Sequence, residues 1–490
     1  MKKTLLLTSL VASMVAIAGT TGSVEAYNEN EATFVKGEKP TFVAKKTGVK
    51  TEVKVEGTGF SFGGEFKAED LELGNVTKAN YLNHSSVWAK YELPEIKGVK
   101  SYVKATVSPK FVNTLKEEVT LANKIAKRPA VTIGEYNFKK EVLKKITNGK
   151  VADKGSAELE GQVSYKYNEF TFGLNSKTNF PLSNEEYTYD GTKTNKASVK
   201  DYGATVKSTH KLFVESEEGK DVFVKGLKDV KANVEVKHDY RKIEKNQKAS
   251  EAVDYVSGEV SAKYDAVKDL ELEGKVAFKK NFKSTEKIGD YEVLGTKLFK
   301  EGSARYIHSY ELKGTYKGVK HLSLSAKPFV AHVNIAKEVT SDNKVKRNDH
   351  VAYGVELNAE YKMLNDKLTL TGKSLLAGLH DRMFDGTKTN TGVFVFDANA
   401  KYDYSVTDKF TVSPEANANL KLDVFKLGKS LVTLPELTLT PKVSAEYKPT
   451  DTLTLKGSVE TPVKFKVVGK EFKYTDTQVK TSLNLKYEWK

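Results

Sequence analysis

The 490-residue chain has no cysteine. That excludes a disulfide scaffold, a thiol nucleophile, thiolate metal sites and a lipid-modified N-terminal cysteine. Long apolar runs are also missing. After residue 26 no stretch approaches 18 apolar residues, so no transmembrane helix is encoded there. The eight histidines include no His-x-His and no i, i+4 pair, and they give no metal-ligand spacing. The net charge of +15 comes without any Arg-rich aromatic motif, so nothing points to nucleic acid. No cofactor motif appears either. Gly57-Thr58-Gly59-Phe60-Ser61-Phe62-Gly63-Gly64 is glycine-rich, but no helical pattern follows to receive a phosphate.

The first residues read as an export signal. Lys2 and Lys3 precede the apolar run Leu5–Ala18, which is too short to span as a helix, and Val24-Glu25-Ala26 fits a small-residue cleavage site. Residues 1–26 are therefore expected to be a signal peptide cleaved near Ala26. Residues 27–50 are expected to be a periplasmic lead, and residues 51–490 one barrel domain.

A two-residue period dominates the rest. Nine segments in the second half of the chain illustrate it: 256–264, 270–278, 351–361, 368–376, 394–402, 410–422, 436–447, 453–465 and 475–489. Every second residue in the apolar register gives 54 positions without one Asp, Glu, Lys or Arg. The intervening 46 positions carry 10 Lys and 12 acids, in a chain that is 29% charged overall. Period 2 means strands. One face without charge and one face rich in it means that hydrocarbon lies on one side and water on the other, as in a transmembrane β-barrel. The mean hydropathy of −0.48 fits, because half of each strand faces the lumen.

Many strands end in a short phrase built on tyrosine: Ala262-Lys263-Tyr264-Asp265, Thr315-Tyr316-Lys317, Ala359-Glu360-Tyr361-Lys362, Ala400-Lys401-Tyr402-Asp403 and Ala445-Glu446-Tyr447-Lys448. Short turn formers follow, such as Leu364-Asn365-Asp366 and Pro449-Thr450-Asp451, and then new alternations such as Leu368-Thr369-Leu370-Thr371-Gly372. The tyrosines are thus expected at one height, as an aromatic girdle beside short periplasmic turns. The other strand ends are expected to carry longer extracellular loops. The repeated phrase Asp190-Gly191-Thr192-Lys193-Thr194-Asn195 and Asp385-Gly386-Thr387-Lys388-Thr389-Asn390 falls on that side.

Counting alternations gives eighteen strands, with sixteen as the alternative, in a single all-β antiparallel barrel. The first of them, 51–66, has a register slip at Gly59/Phe60. Pro328, Pro414, Pro441 and Pro462 fall inside expected strands, where each removes a ladder donor. Residues 113–155 form the longest connection, and Leu115, Val119, Leu121 and Ile125 there have helical spacing. The segment is expected to plug or cap the lumen. Its charges, Lys116, Glu117, Glu118, Lys124, Lys127 and Arg128, are the candidate constriction residues.

The last strand alternates Thr475, Thr477, Val479, Thr481, Leu483, Leu485, Tyr487 and Trp489 on its apolar face. It resembles the closing strand of Gram-negative outer-membrane barrels, with Lys490 following where the aromatic residue is usually last. The Lys-rich, Cys-free style is similar to porin-like proteins of the fusobacterial type. The resemblance implies that Tyr487 and Trp489 are the signal read by the barrel-insertion machinery. It also implies an outer-membrane location and contact with outer-membrane lipid.

The function expected is a porin-like channel for passive diffusion of small hydrophilic solutes, with no catalytic, metal or cofactor residues. The expected partners are outer-membrane lipid and lipopolysaccharide, the insertion machinery and further copies of the chain. A cluster of Lys337, Lys344, Lys346 and Arg347 suits lipopolysaccharide phosphates. The alternatives are a surface-display or adhesin barrel and an outer-membrane hydrolase. The last would rest on Asp349-His350, His380-Asp381 or a Ser374/His380 pair.

Overall fold

The structure is a computed structural model. It describes residues 19–72, 85–109, 155–182, 206–240, 252–282, 304–339, 345–382, 388–427, 430–468 and 471–489, together with short strands within 132–137, 149–153, 184–197 and 292–297. Among the described residues there is no helix. Twenty antiparallel strands form one sheet, in chain order: β1 Thr20–Val35, β2 Thr41–Val55, β3 Phe60–Glu72, β4 Ser86–Ile96, β5 Val99–Pro109, β6 Gly155–Tyr167, β7 Phe170–Pro181, β8 Val206–Ser216, β9 Leu227–Tyr240 and β10 Ala252–Tyr264. The second half continues with β11 Leu270–Asn281, β12 Ala304–Val319, β13 Leu322–Val339, β14 Val345–Met363, β15 Leu368–Arg382, β16 (Lys388–Tyr402 and Tyr404–Thr407), β17 Phe410–Leu427, β18 Ser430–Thr450, β19 (Leu453–Glu460 and Val463–Val468) and β20 Glu471–Trp489. Each strand pairs with its sequence neighbours, and β1 pairs with β20 from Gly22↔Trp489 to Val35↔Asp476. The sheet closes on itself and leaves no edge.

Seventeen expected strands have one counterpart each. The expected strand 51–66 is two strands and a turn. Its register slip at Gly59/Phe60 is the hairpin between β2 and β3, where Gly57 and Gly59 take φ of +71° and +72°. The split makes nineteen, and β1, which precedes every expected strand, makes twenty. Residues 27–50, expected as a lead, lie in β1 and β2 and in the turn between them. The alternation of β1 is hard to read because its outward positions include Asn28 and Asn30 between Ala26 and Ala32.

The tyrosines stand at one end of the barrel; Tyr402 pairs with Leu368 of the preceding strand, and the other four each stand opposite a leucine of the next strand. The pairs are Tyr264↔Leu272, Tyr316↔Leu324, Tyr361↔Leu370 and Tyr447↔Leu455. The Leu-x-Leu phrase after each turn supplies these partners. Most connections at this end are short, such as 97–98, 168–169, 320–321 and 364–367, and 217–226 between β8 and β9 is longer. In 364–367, Leu364, Asn365 and Asp366 all have positive φ. At the other end the long connections all precede β12: 73–85, 110–154, 182–205, 241–251 and 282–303. From β13 onward the joins are short at both ends, for example 383–387 and 428–429. Both Asp-Gly-Thr-Lys-Thr-Asn copies lie at the end opposite the tyrosines, the first in the β7–β8 connection and the second from the β15–β16 connection into β16.

All four problem prolines sit at interruptions of the ladder. The β12–β13 pairing runs from Glu311↔Phe329 to Gly314↔Ala326 and skips Pro328. Pro414 lies beside the break of β16 at Asp403, where the Ser413 hydroxyl donates to the Asp403 carboxylate at 2.5 Å. Pro441 faces the break of β19 at residues 461–462, which contains Pro462, and the amide of Thr461 donates to the Pro441 carbonyl at 2.9 Å. A residue that lacks an N–H costs nothing where no rung is formed.

Candidate functional site

Parity along each strand divides the wall into an outer and an inner face. The outer face carries Leu212, Leu312, Leu376, Leu483 and Tyr310, each about half exposed. The inner face is built from ion pairs and amide–carboxylate contacts. Lys327 meets Glu356 at 2.9 Å, Lys275 meets Glu259 at 2.7 Å and Lys177 meets Glu158 at 3.0 Å. All three cross between strands: Lys327 and Glu356 share a rung, and the other two pairs are diagonal, with Lys275 opposite Ser261 and Lys177 opposite Glu160.

Two polar nodes tie strands together, the first across three strands and the second across two. Tyr102 on β5 donates its hydroxyl to Glu160 on β6 at 2.8 Å, and Asn175 on β7 donates to the same oxygen at 3.0 Å. Lys90 lies 4.3 Å from the centre of the Tyr102 ring. On the far wall Asp397 accepts one hydrogen bond from Asn417 and one from Asn419, each at 3.0 Å. A polar recess there is lined by Thr371, Lys373, Asp397, Asn399, Glu415, Asn417, Thr440, Lys442 and Glu460. A second inner recess, at the tyrosine end, is lined by Glu215, Ser216, Glu218, Asp229, Lys231, Ser261, Ala262, Lys263 and Glu273. It sets four carboxylates against two lysines.

Inward aromatic side chains were not read from the sequence. Tyr27 on β1 crosses β2 to donate to Glu65 on β3 at 2.5 Å. Gly48 makes the crossing possible, because a Cβ there would lie 2.6 Å from the Tyr27 hydroxyl. Trp88 lies over Gly63 in the same way, with Lys104 5.0 Å from its ring. The signal available was an aromatic residue in the charged register opposite a glycine in the next strand.

The inner wall is not polar throughout. Phe329, Ala331, Val333, Ala352, Leu375 and Val395 form a buried cluster, with Ile307, Ala377, Leu379 and Val393 against it. Register places all of them on the inward face of β12 to β16, above the charged rungs of Lys327, Glu356, Lys373 and Asp397.

The candidate constriction residues Lys116, Glu117, Glu118, Lys124, Lys127 and Arg128, and the helical spacing around them, lie outside the described residues. So do the side chains of Lys337, Lys344, Lys346, Arg347 and Asp349. The end of that long connection is described: Gly149–Asp153 pairs with Asn184–Tyr189, which pairs with Thr194–Ala197, so the β5–β6 and β7–β8 connections share a three-stranded sheet. Tyr487 and Trp489 stack at 6.3 Å, with Tyr487 exposed outward and Trp489 buried.

Folding brings histidines together that the sequence kept apart. His308 and His332 are cross-strand neighbours with ring centroids 6.3 Å apart, and His210 and His238 are 5.9 Å apart. Both pairs face outward, far from the tyrosine end. The Ser374/His380 pair is not formed. The two residues share a face of β15 six positions apart, which is about 20 Å at strand rise. His380 instead lies 2.6 Å from the Asn390 side chain.

In the turn between β8 and β9, outside the spanning strands, Lys220 and then Lys166 hold the Glu217 carboxyl below the usual carboxylate range, at 2.8 and 3.0 Å.

No family model matches the chain. No curated protein matches it either. Among solved structures the chain is similar to the siderophore receptor PirA from Pseudomonas aeruginosa, with 9% identity and a TM-score of 0.47 over 96% of this chain and 80% of that one. It is also similar to the FpvAI–pyocin S2 complex, with 11% identity and a TM-score of 0.47 over 96% and 70%. A third is OmpT, an outer membrane protein of Vibrio cholerae, with 11% identity and a TM-score of 0.32 over 97% and 99%.

Proposed function

We propose that the chain is an outer-membrane, porin-like channel that lets small hydrophilic solutes diffuse passively. The observation that carries this reading is the inner wall. Closed barrels of 16–18 strands leave an aqueous channel, and 22-stranded ones hold a plug. A twenty-stranded wall lined by Lys327–Glu356, Lys275–Glu259 and the Tyr102–Glu160–Asn175 node favours water in the lumen, because ion pairs withdrawn from water lose more than they gain. The outer face supports a bilayer on the other side: the tyrosine row at one end is an interfacial girdle, and the exposed leucines above it are lipid contacts.

Paired charges along the walls leave weak selectivity there. The acid-rich recess around Glu215, Glu218, Asp229 and Glu273, at the periplasmic mouth, gives a modest preference for cations. Stronger discrimination falls to the β5–β6 connection, with Lys116, Glu117, Glu118, Lys124, Lys127 and Arg128. The deciding experiment is conductance of the refolded protein in a planar bilayer, with and without residues 116–128. Stepwise channels that widen in the deletion support the porin reading. Absence of channels in the full chain removes it and favours display through the long connections, a reading that the sheet shared by the β5–β6 and β7–β8 connections supports.

Partners follow from the outer face. Asn28, Asn30, Thr47 and Thr481 place hydrogen-bonding groups outward across β20, β1 and β2, with Asn28 donating to Thr47 at 2.7 Å and Asn30 to Thr481 at 3.3 Å. Asn28 and Asn30 lie four and six residues above Val24, which stands opposite Tyr487, so they face the middle of the apolar band. Polar groups at that depth favour contact with protein over lipid, and a second copy of the chain is the partner this face suits.

A further inference from the structure

We propose that the export leader is removed between Ala18 and Gly19, so that the mature chain begins at Gly19 and not at Tyr27. Two cleavage sites fit the sequence. Val24-Glu25-Ala26 is one. Ala16-Ile17-Ala18 is the other, with small residues at both required positions, and it closes the apolar run that starts at Leu5. The sequence does not choose between them. The seam of the barrel does.

Residues 22–26 are paired on both sides, and Thr20 and Thr21 on one. Toward β2 the rungs run without interruption from Thr20↔Val55 to Ala26↔Val49. Toward β20 they run from Gly22↔Trp489 to Ala26↔Leu485. The amide of Glu56 donates to the carbonyl of Gly19 at 2.9 Å, which ties the first described residue to the β2–β3 turn. Asn484 donates its side-chain amide to Glu25 at 2.5 Å.

The side chains are matched as closely as the backbone. Trp489 lies against Gly22, where a Cβ would fall 2.5 Å from Cζ2 of the indole. Trp489 is only 9% exposed, although it stands at the end of the last strand. Val24 stands opposite Tyr487 in the girdle row.

Cleavage after Ala26 would remove all of this. β1 would begin at Tyr27, three residues above the girdle row. The carbonyl and amide groups of β20 from Leu485 to Trp489 and of β2 from Val49 to Val55 would lose their partners along that notch. Unpaired backbone at the hydrocarbon boundary has no water to compensate it, and a notch beside β20 is an unprotected edge. Cleavage after Ala18 leaves every rung in place. Water hydrolyses the Ala18–Gly19 amide: the C–N bond breaks, the hydroxyl goes to the Ala18 carbonyl carbon to leave a carboxyl, and the proton goes to the Gly19 nitrogen, which becomes the new terminal amine. The enzyme is the signal peptidase of the export pathway, which requires small side chains at residues 16 and 18.

The test is N-terminal sequencing and intact mass of the full protein purified from outer membranes of a Gram-negative host. A terminus at Gly19 is expected. A terminus at Tyr27, any other terminus beyond Gly22, or retention of the leader overturns the proposal. Two variants separate recognition from folding. Ala18→Phe should leave unprocessed precursor. Ala26→Phe places its ring on the outer face and should be processed as the parent is. The reverse pattern overturns the assignment. A third arm fuses an unrelated leader directly to Tyr27. That barrel should convert to its unfolded mobility on gels at a lower temperature than one begun at Gly19, and equal resistance of the two would show that the seam does not need residues 19–26.

Discussion

Leu375 and Leu376 are consecutive, identical in chemistry and on opposite sides of the wall: Leu375 is fully buried on the inner face, and Leu376 is 50% exposed on the outer one. Leu376 stands six residues above Leu370, which pairs with Tyr361 of the girdle. That places it near mid-band. Leu376→Lys should cost ~2–4 kcal/mol of folding stability in lipid. Leu376→Ala should be nearly neutral, because lipid fills the space. Leu375→Ala should cost ~2–5 kcal/mol, because it opens a cavity in the Phe329–Val395 cluster. Urea titrations in vesicles measure all three, and equal sensitivity to alanine at the two positions would invert the faces.

Leu455 gives a graded control. It pairs with Tyr447 and Leu485 at the girdle, so Leu455→Lys should cost only ~0–1 kcal/mol. Its neighbour Lys456 points inward, 2.8 Å from Glu446, and Lys456→Leu should fold. A penalty at Leu455 as large as at Leu376 would mean that the tyrosine row does not mark the boundary.

Topology is read by labelling. Cysteines introduced at Thr192 and Thr387 belong to connections opposite the tyrosine end, and one at Pro449 lies beside Tyr447. An impermeant thiol reagent applied to intact cells should modify the first two and spare the third. Modification of the Pro449 position alone would turn the barrel over.

Selectivity should follow the mouth. Replacing Glu215, Glu218 and Glu273 by Gln together should shift the reversal potential in a salt gradient toward anions, with single-channel conductance changed less than selectivity. An unmoved reversal potential would place the filter elsewhere, and the 116–128 deletion then decides whether the long connection holds it.

Glu217 gives a pH signature. Its folded carboxyl is held low, chiefly by Lys220 and then by Lys166. Its contribution is therefore complete above the ordinary range of about 4.3 and is lost as pH falls through the lowered folded value. A carboxyl NMR titration should show a midpoint below that range in the parent and an ordinary one in Lys220→Met combined with Lys166→Met. Identical midpoints would show that the ion pairs do not persist in solution.

Association is tested on the β20–β1–β2 face. Asn28→Leu with Asn30→Leu should abolish higher-order species on native gels in mild detergent, with the barrel itself intact. Species that persist in the double variant would remove this face as the contact.

What the sequence determined by itself was whatever depends on period and local chemistry. Strand identity from β4 to β20, the Tyr–Leu girdle, the turns and the opposite placement of the two Asp-Gly phrases all follow from alternation and turn residues that act within a few positions. Tertiary structure decided what depends on partners far apart in the chain. β1 became a strand because β2 and β20 complete its ladder, and no alternation of its own announced that. The four prolines fit because rungs are missing around them, opposite Pro328 in β12, at Asp403 in β16 and at residues 461–462 in β19, and a missing rung in one strand cannot be read from its neighbour. The inward apolar cluster exists because five strands set Ile307, Phe329, Ala352, Leu375 and Val395 side by side, each of which looks alone like an ordinary exception to a charged register. Closure adds the last term: Gly22 and Trp489, almost the whole chain apart, meet only because the sheet has no edge.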